Sequence, residues 1–351
     1  MRTVFVAMSG GLDSSYSAYL LKRQGYRVVG VTFALLPKTT ASTRNPKACC
    51  SLDSTNRAKR VADSLSIAHY VINLRPQFEE HVIEKFIAEY RGGRTPNPCV
   101  LCNQYIKFSA FVQRALALGA DAVATGHYAT VEKSETGWLL KKAKDGSKDQ
   151  SYFLYPIEQY RLPTLLFPMS GYTKEAVRLN MTGLAWGPSR VRESQDICFI
   201  PDSDYRRFIG RYIPVKKGDV FLHDGRHLGC HEGVQLYTIG QRRGLNIPFT
   251  EPLYVTEIRA EENVLIVGPK EKLRRRTLLA DQVNMLCARS SGRALGRVRY
   301  RQKEEPCTFN VNNDLLEVTF DDPISAITPG QSVVLYEGDR VLGGATVREA
   351  S

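Results

Sequence analysis

No stretch of the 351-residue chain is apolar for long enough to cross a bilayer, which argues against a membrane protein. Nor does the start of the sequence read as a leader. Met1-Arg2-Thr3 runs directly into Val4-Phe5-Val6-Ala7, so the sequence implies a cytoplasmic protein with no membrane partner. Internal repeats and low-complexity tracts are absent, which excludes solenoids and tail-like arrays. Acidic residues are in short supply: 36 Asp and Glu face 48 Lys and Arg, a net +12. A surplus of that size points to a polyanionic partner, nucleic acid first. At 43% hydrophobic residues the chain is an ordinary globular one, and its length suggests two or three domains. Eight cysteines are present, but in a cytosolic chain they do not imply a disulfide framework. The pair Cys99 and Cys102 has no second C-x-x-C downstream to complete a four-ligand zinc site. It also follows a helix and loop rather than a strand, which sets it apart from thioredoxin-like motifs.

What is present begins at Ser9-Gly10-Gly11-Leu12-Asp13-Ser14-Ser15, just after the first apolar strand. Two adjacent glycines allow a sharp turn with N–H groups pointing outward, and Ser9, Ser14 and Ser15 add hydroxyl donors. The helix that follows presents its positive end to the same anion. A mononucleotide loop would need a lysine before its Ser or Thr, and none is there. The pattern resembles the S-G-G-x-D-S pyrophosphate loop of enzymes that split ATP into AMP and pyrophosphate.

Strand and helix patterns alternate through the first half. Residues Val4–Met8, Arg27–Phe33, Ala68–Asn73 and Asp121–Thr125 read as strands. Asp13–Gln24, Leu52–Ser66, Gln77–Arg91 and Asn103–Leu118 read as helices. Such alternation predicts a parallel sheet with ligands at the carboxyl ends of its strands, where both the Ser9 loop and Gly126-His127 fall. Pro37–Lys47 reads as a mobile surface loop and Arg91–Cys102 as a lid. From Asp204 the texture changes, with a short helix over Tyr205–Tyr212 and then short alternating segments. Strand patterns dominate beyond Leu278, with a hairpin turn at Gly338-Asp339, and predict a small β-barrel. The expected domains are 1–203, 204–273 and 274–351.

Cys102 opens a helix in this reading, where a thiolate is stabilised. Cys198 lies between polar and apolar runs in Glu193-Ser194-Gln195-Asp196-Ile197-Cys198-Phe199-Ile200. Cys99, Cys102 and Cys198 suffice to hold three irons of a 4Fe–4S cluster and leave one iron open. Cys230, Cys287 and Cys307 read as small buried hydrophobes. Cys49 and Cys50 receive no role.

Taken together, the motifs resemble the tRNA-specific 2-thiouridylase family. Those motifs are Ser9–Ser15, Thr95–Phe108, Thr125–Ala129, Lys148-Asp149-Gln150-Ser151, Ser194–Ile200, Tyr237–Leu245 and Pro329-Gly330-Gln331. They occur in the family's order and span nearly the whole chain. The resemblance implies an α/β catalytic domain of the adenine-nucleotide α-hydrolase type, a small central domain and a C-terminal β-barrel. It implies ATP with Mg2+, adenylation of the C2 oxygen of the wobble uridine in tRNAs for Lys, Glu and Gln, and replacement of that oxygen by sulfur. A cysteine desulfurase or sulfur-relay protein would supply the sulfur. By the same resemblance Ala7, Met8, Ser9, Gly10, Gly11, Leu12, Asp13, Ser14, Phe33 and Gly126 bind ATP. Cys198 carries a persulfide and Cys102 is the nucleophile. Asn97, Pro98 and Cys99 touch the target base. His127, Lys148, Asp149, Gln150, Arg299, Tyr300 and Gln331 contact tRNA. Some members carry aspartate where Cys99 stands, so the persulfide route does not require it. Sulfide activated on an iron–sulfur cluster is the alternative route. An AMP-forming amidating synthetase would need no paired cysteines, and a non-catalytic tRNA-binding protein would not need Cys198.

Overall fold

The structure is a computed structural model that describes residues 1–36, 52–135, 137–182, 184, 197–200 and 204–351. The loop expected over Pro37–Lys47, the pair Cys49 and Cys50, and Glu193–Asp196 lie outside the described residues. The chain divides into two compact units. One comprises Met1–Val82, Pro98–Asp204 and Asp339–Val341, and the other Ile83–Asn97, Tyr205–Gly338 and Leu342–Ser351.

The first unit is built on a five-stranded parallel sheet. Its strands are β1 (Thr3–Ala7), β2 (Arg27–Ala34), β3 (Ala68–Asn73), β4 (Ala122–Ala124) and β7 (Leu165–Leu166), in the order β3-β2-β1-β4-β7. β1 is buried on both faces, which is why it reads as an unbroken apolar run rather than an alternating one. Val4, Val6, Met8, Val28 and Ala122 pack with Ala18 and Leu21 of α1 (Leu12–Arg23) and with Ala58 and Val61 of α2 (Leu52–Ser64). After β1 the chain builds β2 and β3 on one side, then returns with β4 on the other. The switch point of the sheet therefore lies at the carboxyl ends of β1 and β4.

The helix expected over Gln77–Arg91 starts earlier, as α3 (Arg75–Phe78). It then loosens into a π-helical turn, Glu79–Ile83, and resumes as α4 (Glu84–Arg91), which belongs to the second unit. The next starts at Pro98 rather than Asn103: α5 (Pro98–Leu101), a π-helical stretch Cys102–Ala110, then α6 (Phe111–Ala117). The expected lid over Arg91–Cys102 is thus partly helix. Proline suits the first helical position because its missing N–H is not needed there. The hairpin β5 (Thr130–Ser134) and β6 (Gly137–Lys141) and the helix α7 (Lys174–Met181) complete the description of this unit. Tyr16 and Leu20 of α1 share a core with Tyr128, Met169, Val177 and Met181, which lays α7 along α1.

In the second unit a short helix, α8 (Tyr205–Ile209), precedes a four-stranded sheet ordered β10-β11-β8-β9. Its strands are β8 (Gly218–Leu222), β9 (His227–His231), β10 (Tyr254–Arg259) and β11 (Val264–Gly268). Val220, Leu236, Val255, Leu265 and Val267 form its core. Six antiparallel strands follow: β12 (Arg274–Met285), β13 (Ser291–Arg297), β14 (Glu305–Asn312), β15 (Leu315–Ser325), β16 (Ser332–Glu337) and β17 (Arg340–Ala350). They run β12-β15-β14-β13-β16-β17, and β12 pairs with β17 to close a barrel. Leu278, Phe309, Phe320, Val333 and Leu342 fill it. The barrel expected from the sequence is present, and Gly338-Asp339 forms the tight turn between its last two strands. Among the described residues no helix is long and apolar enough to cross a membrane.

Candidate active site

The loop after β1 turns through Gly10 at φ +69°, in the left-handed region. A Cβ there would lie 2.3 Å from the carbonyl oxygen of Ser54, so only glycine fits. Gly11 caps α1 with its backbone alone. Inside the loop Ser9 N–H donates to Ser14 Oγ at 3.2 Å, and the two hydroxyls lie 3.3 Å apart. Gly126, beyond β4, packs on the first turn of α1: a Cβ would stand 2.8 Å from Ser14 N. The residues from β1 and β4 thus meet at the switch point, as an anion site built from backbone N–H groups requires.

Asp13 lies in the first turn of α1, and its carboxylate would repel a phosphate held there. Lys174 answers that charge. Its Nζ donates to both Asp13 oxygens at 2.7 Å, and Tyr128 O–H donates to Oδ1 at 2.9 Å. Sequence reasoning missed Lys174, which comes from 161 residues away. One signal was available. Lysine at the first position of a helix opposes the helix dipole, so it needs a partner off the helix. Thr173 caps α7 by accepting from Ala176 N–H at 3.2 Å, and Asp145 accepts the Lys174 N–H at 3.0 Å. These contacts hold the lysine's backbone where its side chain reaches Asp13.

Phe33 at the end of β2 is buried, and its ring meets Phe111 edge-on at 4.9 Å. Thr32 O–H donates to Met8 carbonyl at 2.7 Å, fixing the carboxyl ends of β1 and β2 together.

Cys99, Cys102 and Cys198 are exposed, buried and half-buried in turn. All three belong to the unit that holds the Ser9 loop. Since the helix starts at Pro98, Cys99 occupies the first turn, and Cys102 sits a turn further on where the helix widens to the π form. The helix-end position expected for Cys102 is Cys99's instead. π-Helical turns are rare and concentrate at functional sites. The two such turns here touch, because His81 stacks on Tyr105 at 4.9 Å. Cys198 lies in a turn closed by Ile200 N–H donating to Ile197 carbonyl at 3.2 Å. Phe199 anchors that turn on Phe78 of α3, ring edge to face at 5.8 Å. Asn103, beside Cys102, is 2% exposed and donates to the Phe153 carbonyl at 2.9 Å. Its carbonyl oxygen is a buried acceptor with no hydrogen-bond partner among the described residues.

His127 is half-buried. Its Nδ1–H donates to Thr125 Oγ1 at 2.7 Å and its Nε2 accepts from Lys107 at 3.3 Å. Burial first, and the Lys107 charge second, hold it well below the usual imidazole range, so it is neutral at pH 7. Asp149 is buried and spends its oxygens on Ala143 N–H, Ser151 N–H and Ser151 O–H. Gln150 accepts the Tyr128 N–H at 3.0 Å. Lys148 is half-exposed.

In the second unit three motifs converge on one strap of backbone, Thr95-Pro96. Gln331 Nε2 donates to the Thr95 and Pro96 carbonyls at 2.8 and 3.3 Å. Thr95 N–H donates to Pro329 carbonyl at 2.9 Å, and Thr95 O–H to Thr238 Oγ1 at 3.1 Å. Arg299 donates to Ile239 carbonyl at 2.9 Å and to Thr328 Oγ1. Tyr300 lies under the Arg297 guanidinium, 5.4 Å from ring centroid to Cζ. The strap leads into half-buried Asn97.

Of the remaining cysteines, Cys307 is the buried hydrophobe expected, its thiol pushed up to about 12 by burial. Cys230 is not: it is exposed at a sheet edge.

Three family models match the chain in order. They are a tRNA methyl transferase HUP domain over residues 2–202, a tRNA methyl transferase PRC-barrel domain over 206–269 and an aminomethyltransferase beta-barrel domain over 275–347. Curated relatives match over their full length. The tRNA-specific 2-thiouridylase MnmA of Halothermothrix orenii is 45% identical over 356 residues, with 99% of each chain covered. That of Moorella thermoacetica is 44% identical over 354 residues, again with 99% of each covered. The models name single modules after methyl transfer, whereas the full-length relatives are named for thiolation. Among solved structures, NMN synthetase from Francisella tularensis overlaps 35% of this chain and 44% of its own at 16% identity and TM-score 0.23.

Proposed function

The chain belongs to the tRNA-specific 2-thiouridylase family, and from that premise we propose how its own residues divide the work. It is a tRNA-uridine 2-sulfurtransferase that uses ATP. The substrate in this reading is the wobble uridine of tRNAs for Lys, Glu and Gln.

A carbonyl oxygen is a poor leaving group, so ATP first adenylates the C2 oxygen and releases pyrophosphate. The Gly10–Gly11 backbone, the Ser9 and Ser14 hydroxyls and the end of α1 hold the phosphates, and Gly126 leaves room beside them. Lys174 supplies the positive charge that the loop itself lacks. ATP fits these donors. Magnesium is harder to place, because both Asp13 oxygens are taken by Lys174. Asp13 offers the ion an oxygen only when the ammonium turns to the phosphates. Magnesium, when bound, neutralises charge between the phosphates.

Sulfur arrives as a persulfide on Cys198, loaded by a desulfurase or a sulfur-relay protein. Its terminal sulfur attacks C2, a C–S bond forms, and AMP leaves with the oxygen. Cys102 thiolate then attacks the Cys198 sulfur, releases the thiolated base and leaves a Cys102–Cys198 disulfide for a thiol reductant to reset. Burial keeps Cys102 from bulk oxidants, while Cys198 on its turn is accessible to a donor. Asn97, Pro98 and Cys99 line the approach of the base. His127, Lys148, Asp149, Gln150, Arg299, Tyr300 and Gln331 serve tRNA, directly or by shaping what touches it.

The observation that carries this reading is the placing of two cysteines, Cys102 and Cys198, in the unit that holds the Ser9 loop. Anaerobic turnover with tRNA, Mg-ATP and a sulfur donor tests it, with AMP and 2-thiouridine measured separately. Cys198→Ala and Cys102→Ala are expected to abolish 2-thiouridine. Lys174→Gln is expected to slow AMP release by about 10²-fold or more, the typical loss on removing one preorganised electrostatic donor. Thiolation at the wild-type rate by Cys198→Ala would falsify the persulfide route. Iron that is required for turnover would replace it with the cluster route.

A further inference from the structure

A second group of reactive side chains lies on the four-stranded sheet of the second unit, on its outer strand β9. Asp219 stands opposite Cys230, and Val220 opposite Gly229. There the register slips by one residue, and Phe221 faces His227 rather than Leu228. Side chains alternate along a strand, so an unbroken ladder would turn His227 away from the face that carries Cys230. The bulge turns it back. Gly229 absorbs the distortion at φ +139°, with nothing within 4 Å of where a Cβ would stand.

As a result His227 Nε2 is 2.9 Å from Asp219 Oδ1, and Cys230 Sγ is 3.8 Å from the same oxygen. One donor atom from each of the three lies within 4.8 Å of the others. The Phe221 ring packs edge-on against the imidazole, centroids 5.2 Å apart, and limits its rotation. A surface ion pair would account for Asp219 and His227. It would not account for an exposed thiol on the same oxygen, or for the bulge that gathers all three.

We propose that Asp219, His227 and Cys230 bind a zinc-class divalent ion. Thiolate sulfur, imidazole nitrogen and carboxylate oxygen are the ligands zinc takes, at about 2.0–2.3 Å each. Donors placed tetrahedrally at those lengths sit about 3.3–3.8 Å apart, and small rotations of three exposed side chains bring the observed separations to that spacing. The sulfur and nitrogen donors select zinc, cobalt or copper over magnesium or calcium. On binding, the Cys230 thiol gives its proton to solvent, His227 offers a nitrogen lone pair, and water fills the fourth position. The ion would staple β8 to β9. The site shares no residue with the thiolation machinery.

Cobalt titration of the metal-stripped full-length chain tests the proposal through the thiolate-to-cobalt charge-transfer band. We expect one equivalent of band, bleached by zinc, and still present in a Cys99→Ser, Cys102→Ser, Cys198→Ser triple variant. Cys230→Ser removes it. His227→Ala and Asp219→Asn weaken zinc binding by at least the about 10–100-fold that loss of an outer-shell partner costs. A band that survives Cys230→Ser, or that vanishes in the triple variant, puts the metal on other thiols and overturns the proposal. Absence of any band overturns it as well.

Discussion

Single side chains decide the charge balance of this molecule in ways that sequence spacing does not show. The Ser9 loop, its glycines and its place after β1 were legible, because a turn that tight leaves few choices. Lys174 was not, since its pairing with Asp13 depends on how α7 packs along α1. His127 shows the same limit. The resemblance makes it a tRNA contact, but burial and then Lys107 keep it neutral, so it brings no charge to a phosphate. His231 is also neutral, held low by burial: its Nε2–H donates to Asn263 carbonyl at 3.1 Å and its Nδ1 accepts from Gly233 N–H at 2.9 Å. Protonating it would set N–H against N–H. The stability consequence has a definite sign. Both folded-state values lie below the ordinary 6.5, so the unfolded chain takes up protons first as pH drops. Stability is then fully present above about 6.5 and is lost as pH falls from there through the lowered folded-state values. Thermal melts across that range are expected to show a decline below pH 6.5 that is shallower in His127→Gln than in the wild type. Equal slopes would mean that the imidazole is not held neutral.

At the level of elements, the parallel strands and the barrel were readable because each repeats one simple pattern. β1 is a short apolar run between polar neighbours, β14 and β15 of the barrel alternate, and β16 is an unbroken buried run. The hairpin of β5 and β6 went unread because its strands are half-buried at most positions and carry little contrast. β8 and β9 went unread because a bulge breaks the alternation of one of them. The Arg91–Cys102 segment looked like one lid, and it is two different things. Its end is helical, and its middle is a strap pinned in the second unit by Gln331, Pro329 and Thr238. Gly330 is where that clamp is tightest: at φ +88° a Cβ would lie 2.9 Å from three backbone atoms of Thr95. Gly330→Ala is therefore expected to destabilise by roughly 1–3 kcal/mol or more, from left-handed strain plus overpacking. Gln331→Ala removes the two strap hydrogen bonds without a clash. If Gln331 acts by holding the strap, kcat falls while KM for tRNA stays nearly constant, with a smaller loss of Tm than in Gly330→Ala. A rise in KM alone would make Gln331 a direct tRNA contact instead.

For the whole molecule, the excess of basic residues is a statement about where binding energy comes from. The formal charge of +12 is spread through ordinary secondary structure rather than gathered in a tail. Arg207, Arg211, Lys216, Lys217, Arg242 and Arg243 of the second unit are all exposed. The ATP site proposed at the Ser9 loop draws on a different physics: backbone donors, a helix end and one lysine already paired with Asp13. The two halves of the substrate should therefore respond differently to salt. A protein that neutralises about 6–10 phosphates loses about 10³–10⁵-fold in affinity between roughly 50 and 200 mM salt, because bound counterions are released on association. ATP, held in the proposed site by short-range donors rather than a charged surface, has few such ions to release. Over that salt range kcat/KM for tRNA is expected to fall by orders of magnitude while KM for ATP changes only several-fold. Charge reversals in the exposed set, Arg242→Glu with Arg243→Glu for instance, should lower the slope of log affinity against log salt and leave AMP formation at saturating tRNA intact. A slope unchanged by those reversals would place the tRNA platform elsewhere on the surface, and a flat salt profile would remove electrostatics as its main source of affinity.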